Sequence, residues 1–441
     1  MEIWVGIAMF ASLLAALLIG IPVAYSMLLV ALASLALAGG GLDALSLVAT
    51  TAWGSVTSFT LTAVPVFILM GAIISVSGMG ARLYNALSTL LHGMPGGLAV
   101  ATTLACTIMA ATSGSSVATA AAVGGFAIKE MRRFGYRDSD ACGAVAAGGT
   151  LGILIPPSIP MIVYGIIAGQ SIGKLFMAGI VPGIMMSLSF ALFQVILAMR
   201  RRTRDGGTGS AKRVSVRDRV VALRDIVPMA ILIWIILGSM YTGFATPTES
   251  AALGTIGSLV ISGVIYRELT WEKLRLVLRN TARGSVMVLM IIAAAMVFGY
   301  VMTTTQVAAS ISHLVASSGL PPWALFISIN VLLIFLGCFM ETLSIIVVTM
   351  PILVPIISAL GWDLIWFGII LTINMEMALI HPPVGLNLFV VQGVVPDVKL
   401  GRIIVGALPY VFIMAVVLAL IAIFPSIATS LGQSQQVVPA R

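Results

Sequence analysis

The sequence predicts an all-α polytopic membrane protein built from two inverted-topology repeats, and three observations predict it. Apolar runs near 20 residues recur from Ile3 to Phe424. Charge is nearly excluded from them. The second half also repeats the Gly/Pro punctuation of the first. Each run is long enough to cross about 30 Å of hydrocarbon as a helix. Sixty per cent of the 441 residues are apolar and 9% are charged, against about a quarter charged in soluble domains. Such a chain cannot cover a water-facing surface. The runs are continuous rather than alternating, which argues against a transmembrane β-barrel. The first, Ile3 to Ala38, lacks a basic start and an Ala-x-Ala cleavage site, so two retained spans are expected rather than a signal peptide.

The net charge of +8 does not point to nucleic acid. Its basic residues sit in short loops between apolar runs, where they set orientation. Cys106, Cys142 and Cys338 lie in or beside apolar segments without the spacing of a disulfide framework or a zinc site. No Gly-x-x-x-x-Gly-Lys-Ser/Thr loop is present, so the chain is not expected to hydrolyse ATP.

The internal repeat has an offset near 226 residues. Gly20-Ile-Pro22 aligns with Ala245-Thr-Pro247, and Ala52-Trp-Gly-Ser-Val56 with Ala282-Arg-Gly-Ser-Val286. His92-Gly-Met-Pro95 aligns with Ser318-Gly-Leu-Pro321, Leu154-Ile-Pro-Pro157 with Ile380-His-Pro-Pro383, and Gly179-Ile-Val-Pro182 with Gly406-Ala-Leu-Pro409. Five pairs in one order, at offsets from 225 to 230, define the halves. The first repeat is 1–210, with a hairpin at about 97–130 and a broken helix at about 140–168. The second is 222–441, with a hairpin at about 321–357 and a broken helix at about 364–394. A basic, Gly-rich cytoplasmic linker, 200–224, joins them. Leu269 to Arg283 and Ala81 to Leu91 mix basic and apolar residues at helical spacing, the pattern of helices lying at the interface.

Topology turns on the hairpins. If each is re-entrant, each half crosses five times, and the odd number inverts the second half. With the N-terminus outside, all but two of the 23 lysines and arginines fall inside, the exceptions being Lys174 and Arg441. Full spans in place of hairpins would put basic loops on both faces, against the positive-inside rule. The first hairpin therefore opens from the cytoplasm and the second from the periplasm, with both termini periplasmic.

A broken helix in lipid leaves backbone groups without water partners, so it survives where it lines a cavity or holds an ion. In inverted repeats such breaks mark binding sites near the midplane. Ala111-Thr-Ser-Gly-Ser-Ser116 and Gly148-Gly-Thr-Leu-Gly-Ile-Leu-Ile-Pro-Pro-Ser158 form the breaks of the first half. Hydroxyls, and carbonyls freed by proline, suit a hard cation such as sodium. The second half offers Gly337-Cys-Phe-Met-Glu-Thr342 and Asn374-Met-Glu-Met-Ala-Leu-Ile-His-Pro-Pro383. Glu341, Glu376 and His381 sit inside apolar segments, where charge costs about 2.5–3.5 kcal/mol on insertion scales and marks functional candidates. Glu341 maps by the offset onto Ser115. Glu249, just after Pro247, reads as an interfacial residue.

On these residues the sequence resembles the large membrane subunit of tripartite ATP-independent periplasmic (TRAP) transporters, carriers of C4-dicarboxylates, sialic acid and related organic acids. The most specific segments are Ala110-Ala-Thr-Ser-Gly-Ser-Ser-Val-Ala-Thr-Ala120, Gly152-Ile-Leu-Ile-Pro-Pro-Ser158 and His381-Pro-Pro-Val-Gly-Leu-Asn387. The resemblance covers essentially the whole chain. It implies an elevator-type carrier in the bacterial inner membrane, in which a transport domain of hairpins and broken helices slides against a scaffold. It implies a small four-helix membrane (Q) subunit and a periplasmic solute-binding (P) protein as partners. It implies no cofactor beyond sodium as the coupling ion. One sodium would be held by oxygens of Ser113, Ser115, Gly152, Ile155 and Pro157. The inverted equivalent lies near Gly337, Glu341, Thr342, Ala378, His381 and Pro383. The solute would sit between the tips, near Ser116, Asn374 and Asn387. No arginine or lysine occurs in these segments, so an acidic solute is implied by the resemblance alone.

Three other readings stay open at this level. A channel would need rings of like residues or a continuous polar stripe, where the sequence has isolated polar breaks. An intramembrane enzyme would draw on His381 and Glu376, without any His-Glu-x-x-His motif. Proton coupling would draw on Glu341, Glu376 or His381.

Overall fold

The computed structural model describes residues 2–37, 41–204, 214–307, 309–310, 317 and 319–433, and these are almost wholly helical. The centre of the expected linker, 205–213, lies outside the described residues. Seven of the described helices are long and apolar enough to cross a membrane.

The first half begins with α1 (Glu2–Leu18), α2 (Val23–Leu37) and α3 (Gly41–Val56). A 3-10 turn, Phe59–Thr62, leads into α4 (Ala63–Val76), followed by α5 (Met79–Leu90). Then come α6 (Gly97–Ser113) and α7 (Ser116–Arg133), a helix–turn–helix at the expected first hairpin. Gly114 turns the chain there with φ +65°, a left-handed conformation that glycine adopts without a Cβ clash. Next, α8 (Asp138–Thr150) and α9 (Ile159–Ile167) are the two arms of the first broken helix. Ser158 accepts from the Met161 N–H and caps α9, with Pro160 in its first turn, where the lost donor costs nothing. The long α10 (Ile172–Arg204) ends the half.

The second half runs α11 (Val216–Tyr241), α12 (Pro247–Val260), a π-helical turn (Ile261–Ile265) and α13 (Trp271–Thr304). Another helix–turn–helix, α14 (Pro322–Gly337) and α15 (Thr342–Ala359), precedes a second broken helix, α16 (Leu364–Ala378) and α17 (Leu386–Val394). The chain closes with α18 (Leu400–Ile423) and α19 (Ser426–Gln433). The Pro156–Pro157 and Pro382–Pro383 peptide bonds are both cis. The three cysteines are free and buried.

Packing sorts the helices into two sets. In one, α13 packs on α2, α3 and α4, while α12 packs on α4 and α11 on α5. In the other, α8 is the hub, packed on α6, α7 and most extensively α18. The α8–α18 contact is made backbone to backbone. A Cβ on Gly143 would overlap the Gly406 carbonyl, and one on Gly406 would overlap the Ser139 carbonyl. Close approach of this kind between helices in lipid depends on small residues, because packing rather than hydrophobicity drives association there.

One edge of this second set is tied by charge. Arg132 at the end of α7 bonds Asp138 at 2.8 Å. Its Nη2 also lies 2.8 Å from Asp397, an ion pair whose N–H direction falls outside hydrogen-bond geometry. Arg201 of α10 pairs with Asp140. The Arg132 guanidinium holds the Asp397 carboxyl below its ordinary range. That contribution is present at neutral pH and is lost as pH falls through the lowered value.

One expectation changes in detail. Residues 271–283 of the expected interfacial segment Leu269–Arg283 continue without a break into the apolar residues that follow, as the single helix α13, because no proline interrupts a stretch rich in Leu and Arg. Residues 81–90 of the other expected interfacial helix lie in α5, and Glu249 closes an exposed capping box with Thr246.

Gly406→Ala should lower stability by about 1–3 kcal/mol, the usual cost of overpacking. Thermal unfolding of the purified protein in detergent measures this, and an unchanged midpoint would mean that α8 and α18 are not in backbone contact.

Candidate functional site

The site is built from the two helix–turn–helix tips. In the first, each hydroxyl has its own task. Ser115 caps α7 by accepting from the Ala118 N–H, which satisfies one of the donors a helix start leaves free. Ser113 and Thr119 hydroxyls meet at 3.0 Å and staple the turn. Ser116 donates to Glu376 Oε2 at 2.5 Å, a bond from the first half to the second.

This tip sits on the first broken helix with no space between. A Cβ on Gly152 would overlap Ala110, and one on Gly149 would lie 3.0 Å from the Ser116 carbonyl oxygen. From the other side, a Cβ on Gly71 of α4 would lie 3.0 Å from Ser113 Cα. Gly152 is thus packed against α6 one turn before Ser113 and Ser115, with Pro157 buried in the same break. The Ile155 side chain packs against Gly183 of α10.

The second tip is arranged alike. A Cβ on Gly337 would overlap the Ala378 side chain. Cys338 Sγ lies 3.6 Å from the Pro382 carbonyl and 3.9 Å from His381 Nδ1. Glu341 is exposed at the N-cap of α15, and the buried Thr342 hydroxyl beside it has no hydrogen-bond partner. Gly337, Ala378 and His381 therefore meet, Glu341 and Thr342 flank them, and Pro383 is exposed.

Both tips line one cavity of about 290 Å³, Ser113–Ser116 on one wall and Glu341–Leu343 on another, with α4 and α13 closing it. Of the residues expected near a solute, Ser116 lines this cavity and the other two do not. Asn374 bonds Asn330 Oδ1 at 2.6 Å, and Asn387 donates to the Ala146 carbonyl at 3.3 Å. Each amide keeps a buried Oδ1 without a partner. An adjoining space of about 700 Å³ shares Glu341 and Met287 and is lined also by Arg283. Sequence reading treated Arg283 as part of an interfacial segment. Its spacing with Met287 and Met290 along α13 was the available signal for a common face. Asn330, a polar residue in the apolar run Phe326-Ile-Ser-Ile-Asn-Val-Leu-Leu333, was also missed.

The oxygens on offer are hydroxyls, carbonyls and one carboxylate, a donor set for a hard, weakly polarising cation. Among the described residues, no three His, Cys, Asp or Glu side chains are grouped to hold a metal.

Residues 10–427 match the family described as tripartite ATP-independent periplasmic transporter, DctM component. The chain is 41% identical over 373 residues to the C4-dicarboxylate TRAP transporter large permease protein DctM of Pseudomonas aeruginosa, covering 85% of this chain and 86% of that one. It is 32% identical over 406 residues to the sialic acid TRAP transporter large permease protein SiaM of Vibrio cholerae, covering 92% and 93%. The crystal structure of the Alcanivorax borkumensis YdaH transporter superposes with a TM-score of 0.63 over 90% of each chain, at 14% identity, a likeness of fold alone. The family match and the similar permeases, together with the apolar helices, make this a multi-pass inner-membrane transport protein rather than an enzyme. The chain belongs to the DctM family, the large permease subunits of TRAP transporters.

Thr342→Val keeps the shape and removes the unpartnered hydroxyl. It should leave the unfolding temperature unchanged or raise stability by up to about 1 kcal/mol; a clear loss would mean that the hydroxyl is bonded within the protein.

Proposed function

We propose that this chain is the permease of a sodium-coupled importer of small organic acids, fed by a periplasmic solute-binding protein and braced by a small four-helix membrane subunit. The observation that carries the reading is the single cavity bounded by two polar tips, one from each half of the chain. The family's tripartite description supports both partners. The relatives support the solute class, with C4-dicarboxylate and sialic acid permeases among those most similar to this chain.

Sodium is carried along with the solute. Ser113 and Ser115 with carbonyls of Gly152, Ile155 and Pro157 hold one ion. Carbonyls around Gly337, Ala378, His381 and Pro383, with Glu341 and the unpartnered Thr342 hydroxyl, hold another. Two cations offset the charge of a dicarboxylate, which low-dielectric surroundings otherwise exclude. Arg283 supplies a further positive charge from the α13 side. Ser116 touches the solute, while Asn374 and Asn387 hold the walls behind it through their bonds to α14 and α8.

The two packing sets support an elevator arrangement. The hairpins, broken helices, α10 and α18 form the moving body, and α1–α5 with α11–α13 form the scaffold. Repetition of helix–turn–helix followed by helix–break–helix supports the repeats 1–210 and 222–441. The placement of basic residues supports their inversion, with both termini periplasmic.

Proton coupling has one observation in its favour, the fully buried Glu376 carboxyl in α16. Vesicles given separate sodium and pH gradients distinguish the two ions. A sodium gradient alone should drive accumulation. Accumulation driven only by a pH gradient replaces the sodium reading with the proton one.

Ser115→Leu removes an oxygen and fills the first tip. Sodium-dependent uptake should fall to background while the protein still inserts and is recovered at normal yield. Normal sodium-dependent uptake by that variant removes Ser115 from the ion site.

A further inference from the structure

The hydroxyls of the first tip differ in where their bonds lead. Thr112 donates to Met109 O at 2.8 Å, and Ser113 and Ser115 bond Thr119 and Ala118. All of these remain inside the hairpin. Among the described residues, Ser116 alone of the tip hydroxyls has a hydrogen-bond partner in the second half, Glu376, 260 positions along the chain. Ser116 is 2% exposed and Glu376 is 1% exposed.

A carboxyl group is a costly residue for this purpose. Glu376 is stripped of water, its Oε1 has no partner, and none of the ion pairs among the described residues includes it. Burial on these terms is unfavourable. Apart from Asn374, which is bonded to Asn330, the neighbours of Glu376 along this turn of α16 are apolar, and none of them calls for a carboxyl. What Glu376 supplies is an acceptor at the height of the tip.

Its position along α16 adds the second half of the argument. Two residues further on, Ala378 is the residue against which Gly337 of the second tip packs. The last turn of α16 therefore touches both tips, one through Glu376 and the other through Ala378. The chain then leaves the helix at Leu379 and enters the second break, which holds His381.

We propose that Glu376 is a positioning residue that couples the two hairpin tips, so that ordering one tip by a bound cation favours ordering of the other. This rests on the reading of the tips as cation sites. The Ser116–Glu376 bond fixes the first turn of α7 relative to α16, and α16 carries that constraint to Gly337. Coupling of this kind is a free energy between two sites and acts in both directions.

The test uses the full chain, purified, with sodium chloride titrated against potassium chloride at constant ionic strength, and sodium-dependent stabilisation followed by thermal unfolding. The same variants are assayed for uptake of radiolabelled succinate in cells that also carry the small membrane subunit and the solute-binding protein. Wild type should give a sigmoidal sodium dependence. Glu376→Ala should make it hyperbolic and raise the half-saturating sodium concentration about tenfold, within the usual span of coupling between sites. Ser116→Ala should do the same, and the double variant should be no worse than either single one, as expected of two groups acting through one bond. Glu376→Gln, which keeps an acceptor oxygen, should restore most of the sigmoidal response. An unchanged curve for Glu376→Ala, or effects that multiply in the double variant, overturns the proposal. If sodium does not stabilise wild type beyond potassium, the sodium reading itself falls. The coupling then falls with it, whereas sodium stabilisation of wild type with an unchanged curve for Glu376→Ala overturns the coupling alone.

Discussion

Backbone against backbone, without side chains between, is the constraint on which this structure depends. A helix that breaks inside a membrane exposes donors and acceptors that lipid cannot satisfy. The break must therefore be covered by protein at hydrogen-bonding distance. Gly152 beneath Ala110, Gly149 beneath the Ser116 carbonyl and Gly71 against Ser113 bring the first tip, the first break and α4 to that distance. Gly337 against Ala378 does the same for the second pair. Each of these glycines removes the Cβ that would hold two segments apart.

The same constraint explains what the sequence disclosed. Punctuation by Gly, Pro and small hydroxyl residues in an apolar background is a strong local signal, because few reasons exist to break a helix in lipid. Both helix–turn–helix segments and both breaks were legible from Thr112–Ser116, Pro156–Pro157, Gly337–Thr342 and Pro382–Pro383 within a few residues. Capping at Thr246–Glu249 was legible only as an interfacial acid. The continuity of α13 was not legible. Basic residues up to Arg283 marked a boundary between aqueous and apolar surroundings, and such a boundary is not a break in the helix when no proline accompanies it.

Partner choice among the polar residues was the least visible part. Asn374 and Asn387 look equivalent to Ser116 in sequence, since all three are polar residues beside a break. The structure separates them by their partners: Asn374 bonds Asn330 of α14, Asn387 bonds the Ala146 carbonyl of α8, and Ser116, at the cavity wall, bonds Glu376 of α16. Asn330 became significant only as the partner of Asn374, and Glu376 only as the partner of Ser116. Contacts across about 44 and 260 positions leave no periodic trace in one sequence. Arg283 likewise needed the fold to place it on the same space as Glu341.

The unbroken course of α13 has a mechanical side. Thirty-four residues make a rod of about 51 Å at 1.5 Å per residue, against a hydrocarbon layer of about 30 Å. Such a rod must lean or protrude. Its middle holds a wall of the cavity through Gly284, Met287 and Val288, and its N-terminal end carries Lys273, Arg275 and Arg279. With no break in the helix between them, a tilt of the basic end is passed directly to that wall.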